Sequence, residues 1–196
     1  KIPRTLIEPL DVSEVNAFLK QLTRYRDMAI VLLMLLCGLR SCEVLSLRQD
    51  NIDFAQRLLR LTGKGNKERL LPFPEPLVAV LRAYLSFERP ATSWSPRFFV
   101  ILQGKRRGHA MTPAGLRSLF RYRRLKTRIP KAHPHRFRHT FGADMARSGV
   151  GLPALQRLMG HADPETTLQY IRLSMTDIAR EYHQAIERIQ CRYEEI

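Results

Sequence analysis

The ten residues from Met28 to Cys37 (MAIVLLMLLC) carry no charged or hydrogen-bonding polar side chain, and Gly38-Leu39-Arg40 follows at once. A segment that is apolar all round a helix must be enclosed by other elements. It is also too short to cross a bilayer, which takes about 20 residues. The run therefore predicts a buried helix ended by Gly38. An arginine then arrives at the rim of the core. Such an arginine must be paired or must bind an anion, because an isolated buried charge is prohibitively costly.

The remaining pattern is helical with one break. Asp11 to Leu22 reads as a helix, with Asp11 as N-cap and Val15, Phe18, Leu19 and Leu22 on one face. Leu59 and Leu61, then Leu70 and Pro72, flank Gly63-Lys64-Gly65-Asn66, which predicts a β-hairpin. Helical spacing returns over Pro74–Phe87, residues 88–97 read as a loop, and Phe98–Leu102 reads as a short strand. Thr112-Pro113 opens a basic helix, with Thr as N-cap and Pro at the first turn. Pro134 opens a helix to about Arg147, and Pro153–Met159 forms a short one stopped by Gly160. Asp163-Pro164 caps a helix holding Tyr170, and an amphipathic helix follows Ser174, with Ile178, Tyr182, Ala185, Ile186 and Ile189 on one face. The fold class is α+β, mostly helical, with a small antiparallel sheet or hairpin carrying Lys64.

Charge narrows the partners. Lys and Arg number 33 against 18 Asp and Glu, a net charge of +15, and such an excess favours polyanions, nucleic acid first. The blander reading is a solubility surface or a ribosomal association. The three cysteines, Cys37, Cys42 and Cys191, show no CxxC spacing, so zinc is not expected. His133, His135, His139 and His161 invite a metal or HNH-type nuclease reading, but no HExxH pattern supports it. Nothing resembles a signal peptide, and a cytosolic, nucleoid-associated protein is expected.

Taken singly, the polar candidates have bland explanations. Arg40 and Arg138 fit buried salt bridges to Glu43 or Asp144, and Lys64 fits a solvated turn. Tyr170 fits a core or rim position. Taken together they suit phosphoryl transfer. Two arginines neutralise the non-bridging oxygens of a phosphodiester. A nucleophile attacks in line, and an acid protonates the leaving oxygen. A phenol can attack phosphorus once its pKa near ~10 is overcome.

The segments GLRSCEV (38–44), TGKGNKERL (62–70), PHRFRHTF (134–141), LMGH (158–161) and TTLQY (166–170) together resemble the tyrosine recombinase, or phage integrase, family, and its Xer-like members most. The match covers Gly38-Leu39-Arg40 with Glu43, Gly63-Lys64-Gly65-Asn66-Lys67-Glu68-Arg69, His135 with Arg138 and His139, Gly160-His161, and Tyr170 nine residues after that histidine. Met159 stands where the family has Leu. The resemblance implies that Arg40 and Arg138 clamp the scissile phosphate, Lys64 protonates the 5′-oxygen, and His135 exchanges a proton with Tyr170. It implies that His161 donates to the phosphate, that Glu43 supports the site, and that Tyr170 forms a 3′-phosphotyrosyl link. No metal or nucleotide cofactor is implied. Lys67 is the rival for the acid role.

The resemblance also implies an organisation. Residues 1–10 are expected to be the end of a linker from a separate N-terminal DNA-binding domain, 11–173 the catalytic domain, and 174–196 a C-terminal helix docking on a neighbouring subunit of a homo-tetramer on DNA. Lys67, Arg69, Lys105, Arg106, Arg107, Arg117, Arg121 and Arg124 are expected to contact DNA, mostly at phosphates. Integration, transposition, integron exchange and chromosome-dimer resolution all fit this reading. A type IB topoisomerase and an inactive DNA-binding module are the competing readings.

Overall fold

The computed structural model describes residues 8–62, 68–160 and 186. Its elements run α1 (Val12–Leu19), α2 (Tyr25–Leu36), α3 (Ser41–Ser46), β1 (Ile52–Asp53), β2 (Leu58–Thr62), β3 (Glu68–Pro72), α4 (Glu75–Ala83), α5 (Pro113–Thr127), α6 (Pro134–Arg147) and α7 (Leu152–Met159). The class is α+β and mostly helical, as the sequence predicts. The strands form one antiparallel sheet in the order β1-β2-β3.

Helix α2 is the centre. Ala29, Ile30, Val31, Leu33 and Met34 are fully buried, against α6 on one side and α4 on another. The Ile, Val, Leu and Met side chains each contribute about 1.5–3 kcal/mol through burial. Because Arg24 supplies no side-chain cap, Glu88 caps α2 from a distance, accepting the N–H groups of Tyr25 at 2.9 Å and Arg26 at 2.8 Å. An aromatic cluster joins α1, α5 and α6. Phe18 lies 4.9 Å from Phe137 and 5.5 Å from Phe120, centroid to centroid.

Predicted starts hold well. Asp11 caps α1 and shares a reciprocal box with Glu14. Thr112 accepts the N–H of Gly115 at 3.1 Å, with Pro113 in the first turn. Gly160 ends α7 in the left-handed region, at φ 62°.

Two expectations need correction. Helix α1 stops at Leu19, short of Leu22. The segment Phe98–Leu102 is no strand. Among the described residues its ladder contact is a single bridge from Val100 to Ala110, and a second bridge joins Arg48 to Arg97 just before it. Phe98, Phe99 and Val100 are all buried, and a run enclosed on every side lacks the alternation that marks a strand. In β3 the inward residues are Arg69 and Leu71, opposite Leu61 and Leu59, while Leu70 is 60% exposed. Leu10 is buried just ahead of α1, and its N–H donates to Thr140 Oγ1 at 2.9 Å. The expected helices beyond Asp163 lie outside the described residues, apart from Ile186, which is helical and half-buried.

Candidate active site

The turn after α2 builds the site. Gly38 takes φ 63°, and a Cβ there would lie 2.4 Å from the Phe141 ring. Glycine is thus required twice, for the left-handed backbone and for the close approach. The turn delivers Arg40 to the start of α3, where the Glu43 carboxylate accepts the Arg40 N–H at 2.8 Å.

Glu43 is 5% exposed and gathers three guanidiniums. Its Oε1 accepts from Arg40 Nη1 at 3.0 Å and from Arg69 Nη1 at 2.8 Å, and Arg138 Nη1 lies 3.9 Å from Oε2. Burial pushes the Glu43 carboxyl up, but the hydrogen bonds from Arg69 and the Arg40 N–H, with both guanidinium charges, hold it below the usual carboxylate range. Three cations on one anion leave 3 − 1 = +2 at the cluster.

The C-terminal end of α7 holds the same arginines from the other side. Arg40 Nη2 donates to the Gly160 carbonyl at 2.9 Å, and Arg138 Nη2 donates to that of Met159. Arg138 also donates to the Gly38 carbonyl. Carbonyls at a helix C-terminus carry negative partial charge, so cations are favoured there. Arg138 is 2% exposed, whereas the Arg40 side chain is 35% exposed. One guanidinium is thus enclosed and the other opens outward.

His135 stands one turn before Arg138 on α6. Its Nε2 lies 2.9 Å from His139 Nε2, so one proton is shared between the rings. Burial, and then the charges of Arg138, Arg40 and Arg136, hold the His135 imidazole below its ordinary value. A neutral imidazole results at pH 7, able to accept a proton. Sequence reasoning did not pair His139 with His135, although spacing of four on a helix places both on one face.

The other sequence candidates divide. Lys64, Lys67, His161 and Tyr170 lie outside the described residues. Lys105, Arg106, Arg107, Arg117 and Arg121 are exposed, and Arg124 is half-buried with Nη1 on the Pro130 carbonyl at 3.1 Å. Arg117, Arg121 and Arg124 line a groove beside His133 and Pro134, where α6 begins. Arg69, also expected at DNA, turns its side chain inward onto Glu43 and is 15% exposed. The alternation of β3 was the signal that could have placed it. Among the described residues no group of His, Cys, Asp and Glu could hold a metal ion, and no helix is long and apolar enough to cross a membrane.

The structure thus gathers a cationic cluster at the C-terminal end of α7 in a mostly helical domain. Residues 7–177 match the phage integrase family, and the chain belongs to that family, the tyrosine recombinases. It is 35% identical to a tyrosine recombinase XerC of Alcanivorax borkumensis, over 98% of this chain and 64% of the relative. It is also 35% identical to a tyrosine recombinase XerA of Pyrococcus furiosus, over 96% of this chain and 64% of that protein. The chain thus spans just under two thirds of these relatives. Its fold is shared with a crystal structure of XerA recombinase (TM-score 0.76, 24% identity, 94% of this chain and 65% of the other). It is shared too with XerH bound to its difH substrate before cleavage (TM-score 0.72, 20% identity, 90% and 54%).

Proposed function

We propose that this chain is the catalytic domain of a site-specific DNA recombinase that cuts and rejoins strands through a 3′-phosphotyrosyl intermediate on Tyr170. The observation that carries the reading is the clamp. Arg40 and Arg138 are fixed on Glu43 and on the last carbonyls of α7, one residue before His161 in the chain, with a net positive charge and a neutral histidine beside them.

Arg40 and Arg138 neutralise the non-bridging oxygens as negative charge builds on phosphorus. His135 accepts the phenol proton while Tyr170 Oη bonds to phosphorus. His161 adds a hydrogen bond to the phosphate. The P–O5′ bond breaks, and Lys64 gives its proton to the departing 5′-oxygen. The phosphotyrosyl ester keeps the bond energy, so a 5′-hydroxyl from another duplex reverses the steps without ATP or metal. Glu43 keeps the arginines in register.

The partner is a double-stranded recombination site, with Lys67, Lys105, Arg106, Arg107, Arg117, Arg121 and Arg124 at its phosphates or base edges. The exposed arginines of α5 and the names of the relatives support this. We also assign a homo-tetramer on DNA, assembled through the amphipathic helix after Ser174, acting on the bacterial nucleoid in the cytoplasm. The test is a Tyr170→Phe variant with DNA. It should bind as the unaltered protein does and form no adduct on a denaturing gel. An adduct that persists would remove Tyr170 from the mechanism.

A further inference from the structure

We infer that Arg69 is a positioning residue that locks the base of the Lys64 hairpin onto the phosphate clamp, and so sets leaving-group protonation; the inference rests on the recombinase reading above. Three observations converge on it.

The first is register. Strands β2 and β3 close with Thr62 opposite Glu68, and Arg69 pairs with Leu61 in the next rung. The connection holding Lys64 therefore springs from a rung adjacent to Arg69. Period-two alternation turns Arg69 to the same face as Leu71, toward the domain interior.

The second is its grip. Arg69 Nη1 shares Glu43 Oε1 with Arg40, at 2.8 Å and 3.0 Å. The same guanidinium lies close against Gly160, where a Cβ would come within 2.8 Å of Arg69 Cζ. One side chain thus touches the carboxylate that orients Arg40 and the residue that precedes His161. It joins sheet, α3 and the end of α7 at one point.

The third is its incomplete bonding. Nε and Nη2 of Arg69 are buried without a hydrogen-bond partner, and among the described residues no other side chain has two such atoms. Buried unsatisfied donors cost stability. Arg26, by contrast, spends Nε, Nη1 and Nη2 on Asp27 and the Val100 carbonyl. Arg69 is placed by what it connects.

The consequence is chemical. Protonation of the 5′-oxygen depends on where Lys64 stands relative to the phosphate. Attack by Tyr170 and neutralisation of the phosphate do not depend on it in the same way. Loosening the hairpin base should therefore harm one step selectively. A 5′-bridging sulfur separates the steps, because a thiolate departs without an acid.

The experiment measures single-turnover adduct formation by the full-length protein. The substrate is a nicked duplex centred on the cleavage sequence recovered from trapped adducts, made with either oxygen or sulfur at the 5′-bridging position. Arg69→Ala should slow cleavage of the oxygen substrate by about 10²-fold, the scale of a misplaced general acid. DNA affinity should be unchanged, and sulfur should restore the rate to near that of the unaltered protein. Equal loss on both substrates would overturn the inference, leaving Arg69 a support of the clamp or of the fold. Weaker DNA binding with an unchanged rate at saturation would also overturn it, making Arg69 a phosphate contact. Should Arg69→Ala not fold, Arg69→Lys must show the same oxygen-specific loss, since it keeps the charge but lacks the fork. An adduct formed by Tyr170→Phe would instead sink the recombinase reading itself.

Discussion

The molecule buries two carboxylates among arginines, Asp27 and Glu43, in different settings. Asp27, 2% exposed, is held by Arg26 at 2.7 Å and by Arg123 of α5 at 3.2 Å. Those arginines are only 12% and 14% exposed, and Arg26 spends its remaining donor on the Val100 carbonyl. That cluster faces inward and ties α2 to α5. Glu43 carries one more guanidinium, and Arg40 opens outward at 35% exposure. The Asp27 cluster is enclosed on every side, whereas the Glu43 cluster carries one more positive charge and has an open side at Arg40. A buried carboxylate with arginines is common to both, so burial alone does not identify a site.

The comparison can be broken from either end. The largest effect is expected at Asp27→Ala, which strands two buried guanidiniums and should cost about 3–5 kcal/mol of stability. Chemical denaturation should show that loss, while any protein that remains folded should form adduct at a near-normal rate. A catalytic defect without a stability defect would erase the distinction between the clusters. Arg40→Ala should behave oppositely. Adduct formation should fall by about 10²–10³-fold, the scale of losing one preorganised donor to a developing charge, with only a small shift in the melting temperature.

A subtler effect follows from His135. Burial and the neighbouring arginines depress its pKa below the ordinary 6.5. As a base it must be neutral, so the cleavage rate should be level through neutral pH and fall only on the acid side, with a midpoint below 6.5. Stability moves in the same sense. The unfolded chain takes up the proton more readily, so the contribution is complete above the unfolded pKa and is lost as pH falls toward the folded one. His133, also depressed by burial and then by Arg136, adds to that loss. A rate profile with its midpoint above 6.5 would show a different titrating group.

Much of this was legible from local pattern. The caps at Asp11 and Thr112, the proline at the start of α6 and the glycine after α7 are short-range signals, and each marks an element where it was read. The core run marked Arg40 as needing a partner, and the family resemblance joined it to Glu43 and Arg138; the structure places the three together. What was not legible depended on contacts across the fold. Strand β1 has two residues and exists only through its pairing with β2. Phe98–Val100 is buried by its surroundings and leaves no period to read. Arg123, one basic residue among several on α5, is distinguished by Asp27, 96 positions away. The inward turn of Arg69 follows from its place in the alternation of β3.

The account turns on covalent chemistry at one tyrosine, and mass spectrometry of the trapped adduct tests it most directly. Trypsin cutting after Arg157 and Arg172 isolates a peptide of residues 158–172 that contains Tyr170 as its one tyrosine. After nuclease trimming, that peptide should carry a nucleotide joined through its 3′-phosphate to Tyr170. A nucleotide on any other peptide, or one joined through a 5′-phosphate, would contradict the mechanism.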